Sequence, residues 1–271
     1  MRSLSLYLDG IGLLGPGLPD WEAACAVLRD QQPYSASAIS VPPADKLPPA
    51  ERRRVGLPVK LSMAIGLEAA RHAAADLGQL ATVFSSTEAD CDNAHAILET
   101  LASSERALSP TRFHNSVHNA PSGYWGIATG SRRPSTSLCA YDASFGAGLL
   151  EAATQADQSG QPCMLLAYDT VYPEPLRQLR PLPGAMGVAL VLNPQRSAAA
   201  RAELTLTLVQ STPTALADPA LEHLRQQIPA ARSLPLLRLL AREEAASVVL
   251  DYLTQLQLEV QVSPLQGAST P

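Results

Sequence analysis

The sequence predicts an α/β fold in which a buried, largely parallel sheet is covered by helices. Short apolar runs alternate with longer helical stretches along most of the chain, as expected when helices connect neighbouring strands. Of the 271 residues, 46% are hydrophobic and 17% are charged, which is typical of globular proteins. A chain of this length can also bury a substantial core.

Residues 1–158 contain two predicted strands, one predicted loop and five predicted helices. Leu4 to Asp9 and Ala81 to Ser85 are short apolar runs that predict strands. The segment from Pro33 to Pro58 is rich in proline, serine and alanine, and it predicts an ordered surface loop. The helical patterns cover Asp20 to Asp30, Val59 to Leu77, Asp90 to Ser103, Ser122 to Thr129 and Ser144 to Gln158.

The second half begins with two apolar strands, Cys163 to Tyr168 and Gly187 to Leu192. A joint at Pro194 to Arg201 precedes Ala202 to Leu208, whose polar and apolar residues alternate as in a half-buried strand. Pro213 to Pro235 is less regular, and Leu236 to Leu256 contains helix-like and strand-like pieces. Leu256 to Val262 alternates again, and the last nine residues are expected to fray.

Composition argues against several classes of function. A formal charge of −5 provides no basic surface for a nucleic acid, and the arginines form a run only at 52–54. No segment approaches the length of a membrane helix, and the amino terminus lacks the features of a secretion signal. The four cysteines are scattered, which predicts reduced thiols, a cytoplasmic protein and no metal site.

Residues 10–15 read Gly-Ile-Gly-Leu-Leu-Gly and match the letters of the dinucleotide-binding fingerprint. That fingerprint works because its last glycine opens a helix whose amides hold the pyrophosphate. Here Pro16, Gly17 and Pro19 follow, so no helix can start before about Asp20. The pattern therefore favours a glycine-rich turn over a nucleotide site, and no cofactor is predicted.

The most informative segment is residues 109–151, SPTRFHNSVHNAPSGYWGIATGSRRPSTSLCAYDASFGAGLLE. It contains Ser109-Pro110, then Asn119 and Gly123, then Arg133-Pro134-Ser135, and finally Tyr141-Asp142-Ala143-Ser144 before a helix. In this order and spacing it resembles the segment of β-ketoacyl synthases that leads to the nucleophilic cysteine. The resemblance extends over about residues 1–210 and implies a thiolase-like half-fold with a mostly parallel mixed sheet. Residues 211–271 are then an extension that packs on the same domain.

The same alignment places Asp142 where a ketosynthase has its cysteine. The family's two catalytic histidines lie in a second half, and here the one histidine after Asp142 is His223, in no matching motif. Asp142 is interpreted as a cap of the following helix, although a nucleophilic carboxylate is an alternative. Cys139 is predicted to be a small buried side chain.

The residues that follow Ser109-Pro110 are predicted to meet a partner subunit. In ketosynthases this segment crosses the dimer and lines the partner's acyl tunnel, and the matching positions here are Thr111, Arg112, Phe113, His114 and Asn115. Arg112 and Phe113 would set how long a chain the tunnel holds. His114 and His118 are interpreted as interface residues, with a catalytic pair as the alternative.

A half-length ketosynthase-like chain without the cysteine resembles the chain-length factors of aryl polyene and type II polyketide systems. The resemblance implies a heterodimer with an active ketosynthase that condenses acyl-carrier-protein thioesters. A heterodimer would also cover the apolar face that a half-fold leaves open. Two other functions stay open: an independent acyl-thioester hydrolase or transferase that uses Asp142 with His114 or His118, and a homodimeric scaffold that binds carrier protein.

Overall fold

A computed structural model describes residues 3–265. Eight strands form one sheet: β1 (Leu4–Leu14), β2 (Ala81–Ser85), β3 (Ser135–Leu138), β4 (Cys163–Asp169), β5 (Met186–Asn193), β6 (Ala202–Val209), β7 (Ala246–Leu250) and β8 (Gln257–Pro264). The longer helices are α1 (Trp21–Leu28), α3 (Leu57–His72), α4 (Cys91–Ala102), α6 (Ala120–Thr129), α7 (Ser144–Ser159), α9 (Pro219–Gln227) and α10 (Leu234–Arg242). Three short helices are α2 (Pro49–Arg52), α5 (Pro110–His114) and α8 (Leu176–Leu179).

The strand order is β3-β2-β4-β5-β1-β6-β8-β7. Only β2 with β3 and β2 with β4 run parallel, whereas the other five pairs are antiparallel. The expectation of a mixed sheet covered by helices is confirmed, but the expectation that it is mostly parallel is wrong. Buried apolar runs such as β4 and β5 predict strands covered on both faces, but they do not specify strand direction.

Helices cover both faces of the sheet. On one face, α7 packs with α1, α10 and a 3-10 helix at Pro229–Ser233, and Phe145 and Leu149 of α7 are fully buried there. On the other face, α3 and α6 pack on the centre of the sheet through residues that include Ile65 and Trp125. Burial of these apolar surfaces is the main source of stability. No helix within residues 3–265 is long and apolar enough to cross a membrane.

The glycine-rich segment is part of a strand, so its interpretation as a turn is wrong. β1 runs through Gly10 and Gly12 to Leu14 and pairs with β5 along this stretch. A Cβ at Gly12 would lie 1.9 Å from the Ile65 carbonyl oxygen, and one at Gly10 would lie 2.1 Å from that of Ala69. These glycines let the backbone of α3 lie directly on β1, which leaves no room there for a pyrophosphate.

Most other predicted elements are confirmed with shifted ends, and the irregular segments contain more helix than expected. Residues 213–235 include α9 and the 3-10 helix, and residues 236–256 include most of α10 and β7. Residues 211–264 add β7 and β8 to the sheet that β1 to β6 form. The division of the chain near residue 210 stays a prediction. Of the nine residues expected to fray, 263 and 264 belong to β8, and 266–271 lie outside the described residues.

Candidate functional site

The site aligned with the ketosynthase nucleophile is a tight turn between β3 and α7. Tyr141 has φ +51°, in the left-handed region that a bulky side chain rarely adopts. The Ser144 hydroxyl donates to the Tyr141 carbonyl at 2.7 Å and accepts from the Ala140 amide at 3.1 Å. Thr87 donates a further hydrogen bond to the same carbonyl. These bonds hold the turn and direct the Tyr141 ring outward, where 62% of the residue is exposed.

Asp142 does not cap α7, so that interpretation is wrong. The residue at the cap position is Ala143, and the cap makes no side-chain hydrogen bond. The Asp142 carboxylate instead pairs with Arg180, and its other oxygen lies 3.3 Å from a guanidinium nitrogen of Arg232. Two guanidinium groups therefore neutralise the acid that the sequence resemblance aligns with the nucleophile.

Arg180 also packs on aromatic rings. Its guanidinium lies 4.0 Å from the ring centre of Tyr141 and 5.8 Å from that of Tyr172, both within cation–π range. The Tyr172 hydroxyl donates to Glu88, and burial raises the pKa of this glutamate to about 7. The segment after β4 is thus joined to the turn through Arg180 and to the end of β2 through Glu88.

A second group of ions connects the turn to the carboxy-terminal part of the chain. Arg232 lies 3.5 Å from Asp251, and Arg225 pairs with the same aspartate at 2.6 Å. Arg225 also makes two hydrogen bonds to Glu222 and holds the pKa of that carboxyl near 2. Sequence analysis missed these residues because they lie far from Asp142 in the chain and form no local motif.

Cys139 is exposed, which contradicts its prediction as a small buried side chain. It lies one residue beyond β3, where the chain has left the core, and its thiol donates to the Thr87 carbonyl at 2.7 Å. Within the described residues all four cysteines are free, as expected for reduced thiols.

The predicted partner segment is the short helix α5 and the residue after it. Ser109 caps the helix by accepting from the Arg112 amide, and Pro110 occupies its first turn. Thr111, Arg112, Phe113 and His114 are all exposed, and 66% of Phe113 is accessible. The structure thus presents four consecutive side chains at the surface, available to another molecule.

Asn115 differs from those four residues because it is buried. Its side chain accepts from the Tyr124 hydroxyl at 2.9 Å and donates to the Arg54 carbonyl at 2.8 Å. Asn93 adds a hydrogen bond from α4 to the Arg112 carbonyl. These contacts fix α5 against α4, α6 and the arginine run, so Asn115 orients the exposed side chains before it.

Within residues 3–265 the ion pairs of Asp142 are with Arg180 and Arg232, not with His114 or His118. His114 is exposed at the end of α5. His118 is half-buried, its Nε2 lies 3.4 Å from the Ser86 hydroxyl, and burial lowers the pKa of the ring. Among residues 3–265, no three histidine, cysteine or acidic side chains are grouped to hold a metal ion.

Several large apolar side chains are exposed between β2 and β5. The segments that carry them follow the carboxyl ends of β2, β3 and β4, which meet at one edge because these strands are parallel. The residues are Leu98, Leu101, Phe113, Val117, Tyr141, Leu176 and Leu179. Of these, Leu98, Leu176 and Leu179 border an apolar groove of about 480 Å³ between α4 and α8. A surface with this many apolar groups is typical of an interaction site.

The fold defines a ketosynthase-like half of the thiolase type, and a strand, a tight turn and a buried helix lie where the sequence resemblance aligns the nucleophile. The profile of the family described as beta-ketoacyl synthase, N-terminal domain, matches residues 25–253. The chain therefore belongs to this family. No curated protein matches the sequence.

Solved structures share the fold over nearly the whole chain. A chain of the ketosynthase (ApeO) in complex with its chain length factor (ApeC) from Xenorhabdus doucetiae has a TM-score of 0.72 at 23% identity, covering 95% of this chain and 99% of that chain. The ishigamide ketosynthase/chain length factor has a TM-score of 0.72 at 13% identity, and the match covers 97% of this chain and 100% of that chain. A chain of AntDE:AntF, a type II polyketide acyl-carrier protein in complex with its ketosynthase, has a TM-score of 0.73 at 12% identity. This match also covers 97% of this chain and 100% of that chain.

Proposed function

We propose that this chain is a chain-length-factor subunit that forms a heterodimer with an active β-ketoacyl-ACP synthase and shapes its acyl tunnel. It acts without catalysis of its own in aryl polyene or type II polyketide or fatty-acid-like biosynthesis. The partner performs the condensation, and the acyl carrier protein meets this chain through the complex. No cofactor is needed for this role.

The observation that carries the proposal is the state of Asp142. A ketosynthase needs a thiolate at this turn to accept the acyl group. The carboxylate here is a far weaker nucleophile, and its attack on a thioester would give a labile mixed anhydride. Its pairing with Arg180 and Arg232 lowers its nucleophilicity further, because both oxygens are engaged. The backbone forms a tight turn here, but the turn carries a carboxylate and no thiolate to accept an acyl group.

Two surface features support a partner of the same fold. Burial of the exposed apolar side chains is favourable, and a subunit interface would bury them. Within residues 3–265, β3 is also an edge strand of the sheet, with β2 as its neighbour. A strand from another subunit would pair with this edge and satisfy its free backbone groups.

The exposed α5 segment supports the proposed effect on chain length. Thr111, Arg112, Phe113 and His114 project from a helix that Asn115 and Asn93 hold in place. A side chain presented on a fixed support can close the end of a tunnel sterically. Phe113 is the largest apolar group of the four, so we expect it to set the limit.

The test is co-expression with the ketosynthase encoded beside this chain, followed by size-exclusion chromatography and a malonyl-dependent elongation assay. A one-to-one complex is expected, and Phe113→Ala should lengthen the product by at least one two-carbon unit because space opens at the tunnel end. Arg112→Ala should also change product length. Leu253→Ala, which removes another exposed apolar side chain, serves as the matched control and should leave product length unchanged.

Each alternative function gives a different result in the same experiment. A chain that ignores the ketosynthase and hydrolyses acyl thioesters, with loss of turnover in Asp142→Ala, would be an independent enzyme. A chain that forms homodimers, binds carrier protein and leaves the ketosynthase unaffected would be a scaffold. Either result would contradict the proposed subunit role.

A further inference from the structure

We infer that Arg232, supplied by the carboxy-terminal segment 211–265, is a positioning residue. It ties the Asp142 turn to that segment and so keeps Tyr141 and the loop 173–182 in the arrangement that meets the ketosynthase. This inference rests on the proposed function for the identity of the partner. It assigns a role both to Asp142 and to the carboxy-terminal segment, for which the sequence alone predicted only packing on the same domain.

Arg232 lies between two carboxylates from different parts of the chain. Its guanidinium is 3.3 Å from Asp142 at the turn and 3.5 Å from Asp251 just after β7. Only 18% of the Arg232 side chain is exposed, so bulk water screens these pairs less than it screens surface pairs. One side chain thus joins the turn to the segment that follows β7.

The support of Arg232 is itself fixed. In the 3-10 helix that carries Arg232, the Ala230 amide donates a hydrogen bond to the Asp169 carboxylate at 2.7 Å. This buried carboxylate also accepts from the Thr87 amide at 2.9 Å. On the other side, Arg225 holds Asp251 at 2.6 Å. The guanidinium of Arg232 is therefore presented from a backbone anchored to the ends of β2 and β4.

The close packing of Asp251 on α7 adds a second anchor. A Cβ at Gly146 would lie 2.5 Å from the Asp251 carbonyl oxygen, so the glycine allows the backbone after β7 to lie against the first turn of α7. The carboxy-terminal segment therefore covers the start of the helix that follows the turn. Arg232 bridges the remaining distance between Asp251 and Asp142.

The turn needs such a tie because its backbone is strained. Tyr141 lies in the left-handed region, a conformation that persists only when surrounding contacts hold it. Asp142 also accepts a hydrogen bond from Arg180, and the guanidinium of Arg180 stacks on the Tyr141 ring. Arg180 belongs to the loop 173–182, so the loop and the turn are held together.

That loop also carries part of the exposed apolar surface. Leu176 and Leu179 project from α8, and 84% of Leu179 is accessible. A surface already held in its bound arrangement loses less conformational entropy when a partner binds. Loosening the tie should therefore weaken the complex without removing any residue that touches the partner.

The test compares Arg232→Gln with Arg238→Gln by hydrogen exchange of the purified full-length chain. Arg238 is a matched control because its side chain is also 18% exposed and pairs with an aspartate, Asp30, away from the turn. In Arg232→Gln, amides of residues 139–147 and 173–182 should exchange about tenfold faster or more, because local opening becomes less costly. Arg238→Gln should leave these amides at the wild-type rate.

Two further variants cover the case in which Arg232→Gln does not fold. Asp142→Asn removes the other half of the pair and should accelerate exchange in the same segments. Arg232→Lys keeps the charge, but an ammonium cannot bridge two carboxylates as a guanidinium does, so an intermediate rate is expected. Equal exchange in the wild type, Asp142→Asn and Arg232→Lys would overturn the inference.

Affinity for the neighbouring ketosynthase separates this inference from the proposed function. Arg232→Gln should weaken the complex about tenfold relative to Arg238→Gln, an effect that a loss of preorganisation can produce. If wild-type chain binds and both variants bind equally well, the positioning role is wrong and the proposed function stands. If wild-type chain does not bind, the proposed function is wrong, while the exchange data still decide whether Arg232 holds the turn.

Discussion

Replacing Gly12 with alanine should destabilise the protein strongly. The added Cβ would lie 1.9 Å from the Ile65 carbonyl oxygen, and ordinary contact begins at 3.4 Å, so β1 and α3 would have to separate. β1 is hydrogen-bonded to β5 on one side and β6 on the other, so it cannot shift alone. We expect the free energy of unfolding to fall by about 3 kcal/mol, the upper end of typical overpacking costs.

Urea denaturation followed by circular dichroism measures this loss, and thermal unfolding should show a decrease of roughly 8 °C. Gly123→Ala is the control, because among the described residues no atom beyond its chain neighbours and the backbone of its own helix lies within 4 Å of the position of its Cβ, and alanine favours the α6 helix. That variant should gain up to about 1 kcal/mol. A Gly12→Ala protein as stable as wild type would refute the close approach of α3 to β1.

Three further predictions concern the charged groups near the turn. Asp142→Cys places a thiol beside two guanidinium groups, which favours the thiolate, so iodoacetamide should alkylate it faster than the exposed Cys139; equal rates would contradict the ion pairs. Because burial raises the pKa of Glu88 from 4.5 to about 7, the folded state retains its proton and stability falls as pH rises across that window. Glu88→Gln should flatten this decline, by at most about 3 kcal/mol, in urea titrations at each pH. Arg225→Gln should cost about 3 kcal/mol in the same assay, because Glu222 loses its counter-charge and Asp251 keeps only the longer pair with Arg232; a change below the error would show that water replaces Arg225.

The turn shows which part of a site sequence can predict. The resemblance of residues 109–151 to the ketosynthase segment located the turn and the helix after it. It did not identify the partners of Asp142, which lie 38 and 90 residues away. An aspartate before a helix has the same local sequence whether it caps the helix or pairs with a distant arginine.

Strand direction shows a similar limit at the level of the fold. β4 and β5 were recognised as strands from their apolar runs, yet their antiparallel pairing could not be predicted. The segment between them is long enough for either direction, and the short α8 helix inside it does not cross the sheet as a βαβ helix would. The direction depends on how the whole segment packs.

The sequence by itself determined the α/β class and most strands and helices, because these properties depend on periodicity. Its resemblance to ketosynthases predicted the turn and the aspartate that stands there in place of cysteine. The tertiary structure was needed to show that the backbone of α3 packs directly on Gly10 and Gly12. It was also needed to show that Cys139 is exposed and that Asp142 pairs with Arg180 and Arg232. The physical reason is that ion pairs and backbone contacts join residues distant in the chain, and their energy depends on burial and geometry that exist only once the chain has folded.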